Sequence, residues 1–348
     1  MIKNTTGYKM KIVVIVPNRE EFLACEVLKG LHRNGVELIP SSPLSRIRDA
    51  YARCSPGSIG AEDIPDTKEY TDDEIIEHAK SADYIFVLWG KFSSPHDSDP
   101  GGKMYLIDKI NAPEKTVLID GSEYSWTGYP THGQMRKDKL NYTKGTPWLW
   151  EEMRNKVKWY FKRETYPEDV IDHDIIPCPY PFRIEDRQSS TNKDIALFGV
   201  FEQTSTGLRA EVEQVCPTLS HDLPIIVNRQ EGGRVNYLNL LSRSYMATDA
   251  WGGGDCTVRK NEVHMNSVAL LMQEWGIVEP HPFTDGENVI FYSTVQEFKE
   301  KANFYLKNLD KLIEIGKKGY EHSLKYHVTE KRVQYIFDII NGKFKWDL

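Results

Sequence analysis

Arg259 and Glu262 stand three apart in the run from Tyr237 to Leu271, YLNLLSRSYMATDAWGGGDCTVRKNEVHMNSVALL, a spacing that puts a guanidinium and a carboxylate on one helix face. Just upstream, Gly252, Gly253 and Gly254 stop an alternating strand-like run from Ser244 to Trp251, and Asp255 or Thr257 can cap the helix that follows. A helix N-terminus leaves backbone N–H groups unpaired, and three glycines let an anion approach without meeting a Cβ. Arginine suits a diphosphate and glutamate suits the two hydroxyls of a ribose. Asn266 extends the same face by four positions. An Arg and a Glu at this spacing also describe a solvated surface pair, so both readings stay open on the residues alone.

Chemistry-bearing residues also cluster at strand ends in the first half. Lys115 to Asp120, KTVLID, reads as a buried strand ending in a carboxylate; Asp120 is either a general base toward an acceptor hydroxyl or one half of an Asp-Gly turn. Asp83 to Trp89 runs into the polar loop GKFSSPHDSDPGGK, which offers Lys91 and His96 as site residues or as solvated loop residues; His132 has the same two readings. Gly102-Lys103 is no P-loop, because Asp97 and Met104 occupy the places of Gly and Ser or Thr. Neither half carries G-x-G-x-x-G, H-E-x-x-H, G-x-S-x-G or an EF-hand pattern, which counts against nicotinamide chemistry in particular. Asp97 and Asp99 have Asp-x-Asp spacing but sit in the first-half loop, so no metal site is expected.

The elements that must position these groups fit a soluble α/β protein. The chain has 348 residues, 40% hydrophobic and 27% charged, enough for about two domains with their own cores. No apolar run reaches the roughly 18 residues of a membrane span and no signal-peptide core is present, so the expected location is the cytoplasm or its membrane face. Five cysteines without a C-x-x-C pair argue for reduced thiols, and a formal charge of −7 argues against a broad nucleic-acid surface.

Lys11 to Pro17, Val36 to Pro40, Asp83 to Trp89 and Lys115 to Asp120 read as buried parallel strands between helices. Ser41 to Tyr70, rich in Pro, Ser, Gly and Asp, reads as a long connection with little regular structure. Val157 to Lys162 alternates bases with aromatics and reads as a strand with one buried face. Tyr166 to Gln188, proline-rich and aperiodic, reads as a domain linker. Strands then recur at Asp194 to Phe201, Leu223 to Asn228, Ser244 to Trp251, Val268 to Met272 and Val289 to Tyr292, and amphipathic helices close the chain.

Residues 193 to 335 resemble the GT-B-fold glycosyltransferases, in particular the group 1 glycosyl transferases related to spore maturation proteins. The resemblance is carried by Tyr237, Leu241, Ser244, Gly252 to Gly254, Asp255, Thr257, Arg259 and Glu262, then by FTDGENVIFYSTVQEFKEKANFYLKN and by Tyr326-His327-Val328-Thr329 with Arg332; YFKRE at Tyr160 to Glu164 is also similar to sequences of this family. It implies two Rossmann-like domains facing a central cleft: an acceptor-side domain at 1–185, a nucleotide-sugar domain at 186–328, and a C-terminal helix at 329–348 packing back on the first.

It further implies that Arg259 binds the diphosphate and Glu262 the ribose, and that Gly253, Gly254 and Asp255 border sugar and phosphates. Tyr237, Thr257 and Gly199 complete the expected donor site, and Asp120 and His96, from their places at strand ends of the first half rather than from the resemblance, are expected to join Arg259 in catalysis. Many relatives carry a second glutamate eight positions before Glu262, where this chain has Gly254, and usually a glycine where it has Asn266, a residue that also tolerates the left-handed conformation. The implied activity is sugar transfer from a nucleotide-diphosphate sugar to a glycan or glycoconjugate hydroxyl, needing no metal or other cofactor. No nucleic acid is expected as a partner, and membrane contact is at most peripheral. A nucleotide-sugar epimerase and a non-catalytic nucleotide-sugar-binding protein of the same fold are the alternatives.

Overall fold

Runs such as KIVVI and YIFVLW are β-branched and apolar on both sides of the pleat, so they can only be satisfied between two layers of helices, and that is where they lie. The computed structural model describes residues 9–16, 21–54, 60–89, 103–121, 151–188, 190, 192–201, 208–227, 232–251 and 256–344. The first half runs β1 (Lys11–Ile15), α1 (Phe22–Arg33), β2 (Glu37–Pro40), α2 (Leu44–Cys54), α3 (Asp72–Ser81), β3 (Tyr84–Trp89), α4 (Leu106–Ile110), β4 (Thr116–Asp120), α5 (Glu151–Arg154), β5 (Trp159–Lys162), α6 (Pro167–His173) and β6 (Ile176–Pro177). The second runs β7 (Ile195–Gly199), α7 (Arg209–Val215), β8 (Ile225–Val227), α8 (Gly233–Ser242), β9 (Ser244–Asp249), α9 (Val258–Met265), β10 (Ala269–Gln273), β11 (Ile290–Tyr292), α10 (Val295–Leu306), α11 (Leu309–Tyr326) and α12 (Thr329–Ile340).

The strands form two parallel sheets with the orders β2-β1-β3-β4-β5-β6 and β11-β10-β9-β7-β8. Both are wound alike, with the first strand of the half lying between its second and third. Each sheet therefore has a switch point, β1/β3 in one and β7/β9 in the other, and a crevice beyond the carboxyl ends of those strands is where such sheets receive ligands.

Three expectations need correction. Ser41 to Tyr70 is not irregular: α2 occupies its middle, with Leu44, Ile47 and Tyr51 buried at helical spacing, and the flanking Pro and Ser concealed that stripe. Tyr166 to Gln188 carries α6 and the short edge strand β6 rather than linker alone. The strand β5 is buried on both faces from Tyr160 to Lys162, because Tyr160 and Lys162 direct their polar ends to the Asp120 carboxylate at 2.8 and 3.0 Å.

The chain crosses between the sheets twice, and the crossings are bonded to each other. Phe182 N–H donates to the His327 carbonyl at 2.8 Å and Thr329 N–H to the Phe182 carbonyl at 3.2 Å, a parallel bridge between Phe182 and Val328. The second crossing starts α12, which returns to the first sheet: Val333, Tyr335, Ile336 and Phe337 join its core, and the Phe337 ring sits 6.0 Å from those of Phe86 and Tyr84. Phe337→Ala should destabilise the protein by about 3–4 kcal/mol, read as a lowered urea midpoint. A loss below about 1 kcal/mol would mean that α12 is not part of the first core.

Candidate functional site

At the second switch point, β9 ends in Asp249 and α9 begins after Thr257. Thr257 holds the extended N-cap backbone, but its hydroxyl is turned away from the helix and donates to the Asp249 carboxylate, with Arg209 of α7 3.9 Å from that same group. The Thr257 side chain thus makes no capping bond to α9.

The two readings of Arg259 and Glu262 are separated by burial. Glu262 is 5% exposed, so it is no solvated surface residue; Tyr237 donates to its Oε2 at 2.6 Å and Arg234 donates to its Oε1. Arg259 is half-buried, its guanidinium 6.0 Å from the centroid of the Tyr237 ring. Tyr237, Thr257, Arg259 and Glu262 therefore gather around one helix, in keeping with their spacing. Gly199 ends β7, where Thr248 of β9 lies opposite it in register; a Cβ there would stand 3.1 Å from both Thr248 and Phe201.

The helix ends at Asn266, its C-cap, but Asn266 is not left-handed: its φ is −95°, and the left-handed residue is Ser267 at 53°. The Asn266 side chain instead bonds the first crossing, accepting from Gln188 N–H at 2.7 Å and donating to the Asp186 carbonyl at 3.0 Å. Gly253, Gly254 and Asp255, like Lys91, His96, Asp97, Asp99 and His132, lie outside the described residues.

The carboxyl edge of the first sheet holds two buried carboxyls. Asp120 is fully buried at the end of β4 and takes bonds from Tyr160 and Lys162. Glu21 follows β1 and is the second; no motif in the sequence singles it out. Its Oε2 accepts from Ala24 N–H at 2.7 Å at the start of α1, while its Oε1 is buried with no partner among the described residues. The carboxyl lies over Gly121, where a Cβ would come within 2.3 Å of its Cδ, so glycine is what admits it. Burial, offset in part by the helix N–H groups and Arg163, raises its pKa to about 7. Lys162, Arg163 and Glu164 also belong to this edge and are absent from the residues that sequence motifs select, although YFKRE closes an apolar strand with three charges, a visible signal. Glu164 reaches the other sheet: its carboxylate accepts from Cys256 N–H at 3.2 Å, immediately before α9.

Among proteins of known sequence and structure, residues 217–338 match the family described as glycosyl transferase-like, and no curated protein sequence matches the chain. The structure is similar to that of a glycosyltransferase from Rickettsia africae, with a TM-score of 0.56 at 11% identity, covering 96% of this chain and 98% of that one. It is also similar to HepE from Anabaena in complex with UDP, with a TM-score of 0.54 at 9% identity over 96% and 100% of the two chains. The HepE complex with UDP-glucose matches over the same shares at 0.52 and 9%. The protein thus has a GT-B fold of two Rossmann-like halves, and residues 217–338 of its second half are similar to glycosyl transferase-like domains.

The Glu21 carboxyl generates a pH signature. Its folded pKa of about 7 lies above its unfolded value near 4.5, so the native state binds the extra proton and loses stability as pH rises through that window. Glu21→Gln, which keeps the cap acceptor, should stabilise the protein by about 3 kcal/mol near pH 8 and by almost nothing near pH 4, read in chemical denaturation at both pH values. An equal effect at both would contradict the assignment.

Proposed function

We propose that the protein transfers a sugar from a nucleotide-diphosphate sugar to an acceptor hydroxyl in the cleft between the two sheets. The observation that carries this reading is Glu262, a buried carboxylate fixed by Tyr237 and Arg234 on the helix that bears Arg259 in its first turn. Glu262 accepts from the ribose hydroxyls, and Arg259 with the α9 N–H groups meets the diphosphate. The glycosyl transferase-like match over this region supports transfer rather than binding alone. HepE is seen with UDP and UDP-glucose, which makes a UDP-sugar the first donor to test.

The acceptor oxygen forms a bond to the anomeric carbon while the bond from that carbon to the diphosphate oxygen breaks, and the diphosphate leaves with the electron pair. Charge grows on the diphosphate as it departs, so Arg259 and the helix N-terminus stabilise the transition state more than the bound donor and can do so without a divalent ion. The acceptor's proton passes to a carboxylate at the first sheet's edge. Asp120 already takes bonds from Lys162 and Tyr160, whereas Glu21 has one oxygen without a partner among the described residues and a pKa near neutrality, so Glu21 takes this role in place of Asp120. His96, which the sequence offers in the polar loop after Asp83 to Trp89, is retained as an acceptor-side candidate. Among the described residues, Cys25, Cys178, Cys216 and Cys256 are buried and free, which fits a reducing cytoplasm. Among the described residues no helix is long and apolar enough to cross a membrane.

Arg259→Ala should cut kcat/KM for sugar transfer by about 30- to 1,000-fold, or about 2–4 kcal/mol, with activity indifferent to EDTA. Unchanged kcat/KM would remove Arg259 from the mechanism. Conversion of the donor sugar without any acceptor, followed by NMR, would show an epimerase instead.

A further inference from the structure

The Glu262 carboxylate is one end of a buried chain of charges that leads out of the second sheet. Arg234, on the first turn of α8, donates to Glu262 Oε1 with one terminal nitrogen and to Asp186 Oδ1 at 2.7 Å with the other. Asp186 belongs to the first crossing and is fully buried; Arg183 holds it from the other side with bonds of 2.9 and 3.0 Å. Arg183 in turn donates at 3.0 Å to the Tyr51 hydroxyl of α2, and Tyr51 donates at 3.0 Å to Glu26 of α1. Thr329, the first residue of α12 and part of the second crossing, donates to the other Glu26 oxygen at 2.7 Å.

Burying this many charges is costly, and paired charges in an interior are often replaceable by apolar residues without loss of stability. What such a chain does supply is a fixed direction for each member. Glu262 has two partners with fixed directions, and each leaves the carboxylate a further lone pair for a ligand. Without Arg234, Tyr237 alone among the described residues would orient it. Arg234 is itself held by Asp186 rather than by a surface group, so the geometry at Glu262 is referred to the crossing between the sheets.

We propose that Arg234, fixed by Asp186, is a positioning residue for the recognition of ribose by Glu262. This inference rests on the donor-site reading above and extends it to residues outside the donor helix. It predicts that Arg234 determines how well the site tells a ribonucleotide from its deoxy counterpart, while leaving the diphosphate contact at Arg259 alone.

The test is calorimetric titration of the full chain with UDP, ADP, GDP and CDP, then with the 2′-deoxy form of the tightest binder and with inorganic pyrophosphate. The wild type should favour the ribonucleotide by about tenfold or more. Arg234→Gln should bring that ratio to near one with pyrophosphate affinity held within about twofold, and Arg234→Lys should restore part of the ratio. Asp186→Asn gives a second reading of the same ratio should Arg234→Gln fail to fold. An unchanged ratio in a folded variant overturns the proposal, as does an equal loss of affinity for nucleotide and pyrophosphate, which marks a merely structural role. A wild type that binds a nucleotide but shows no ribose preference defeats this inference and leaves the donor site standing. A wild type that binds none of the four defeats both.

Discussion

A carboxylate removed from water must be met by donors, and among the described residues Glu262 is met by Tyr237 and Arg234. That constraint organises the second half of the molecule. Tyr237 has to present its hydroxyl from inside α8, which is why it is buried there, and Arg234 has to come from the turn before it. Arg234 then requires its own counter-charge, and the backbone that carries one is the first crossing, at Asp186. The demands of one buried charge thus extend from α9 through the crossing to Tyr51 and Glu26, tying Glu262 to elements of both halves.

The two carboxyls at the edge of the first sheet show the opposite use of burial. Asp120 is surrounded by the hydroxyl of Tyr160 and the ammonium of Lys162, so its charge is compensated. Glu21 has backbone N–H groups on one oxygen and nothing of the protein among the described residues on the other. Burial raises the Glu21 carboxyl to about 7, which suits a group that must take up a proton near neutral pH.

Much of this organisation is legible in the amino-acid sequence. The β-branched runs announce buried parallel strands, and the spacing of Arg259 and Glu262 announces that they share one helix. What stays hidden depends on contacts distant in sequence. Nothing at Glu21 reveals that Gly121, a hundred positions on, will lie under its carboxyl, and nothing at Arg234 reveals Glu262 and Asp186 as its partners. The α2 helix is obscured for a local reason: its apolar stripe is brief and framed by turn residues. In the crossing, β6 is only two residues long, and Arg183 and Asp186, polar residues that read as linker, are fully buried by pairing with each other.

The central claim is that α9 and the residues around Glu262 form the donor's nucleotide site. Amide hydrogen exchange of the protein with and without a nucleoside diphosphate, resolved by peptide, tests it most directly. Slowed exchange concentrated in the first turns of α8 and α9, in residues 233–240 and 256–262, is the predicted result. Protection confined to the first sheet, or none at a saturating concentration of any of the four common diphosphates, would contradict it.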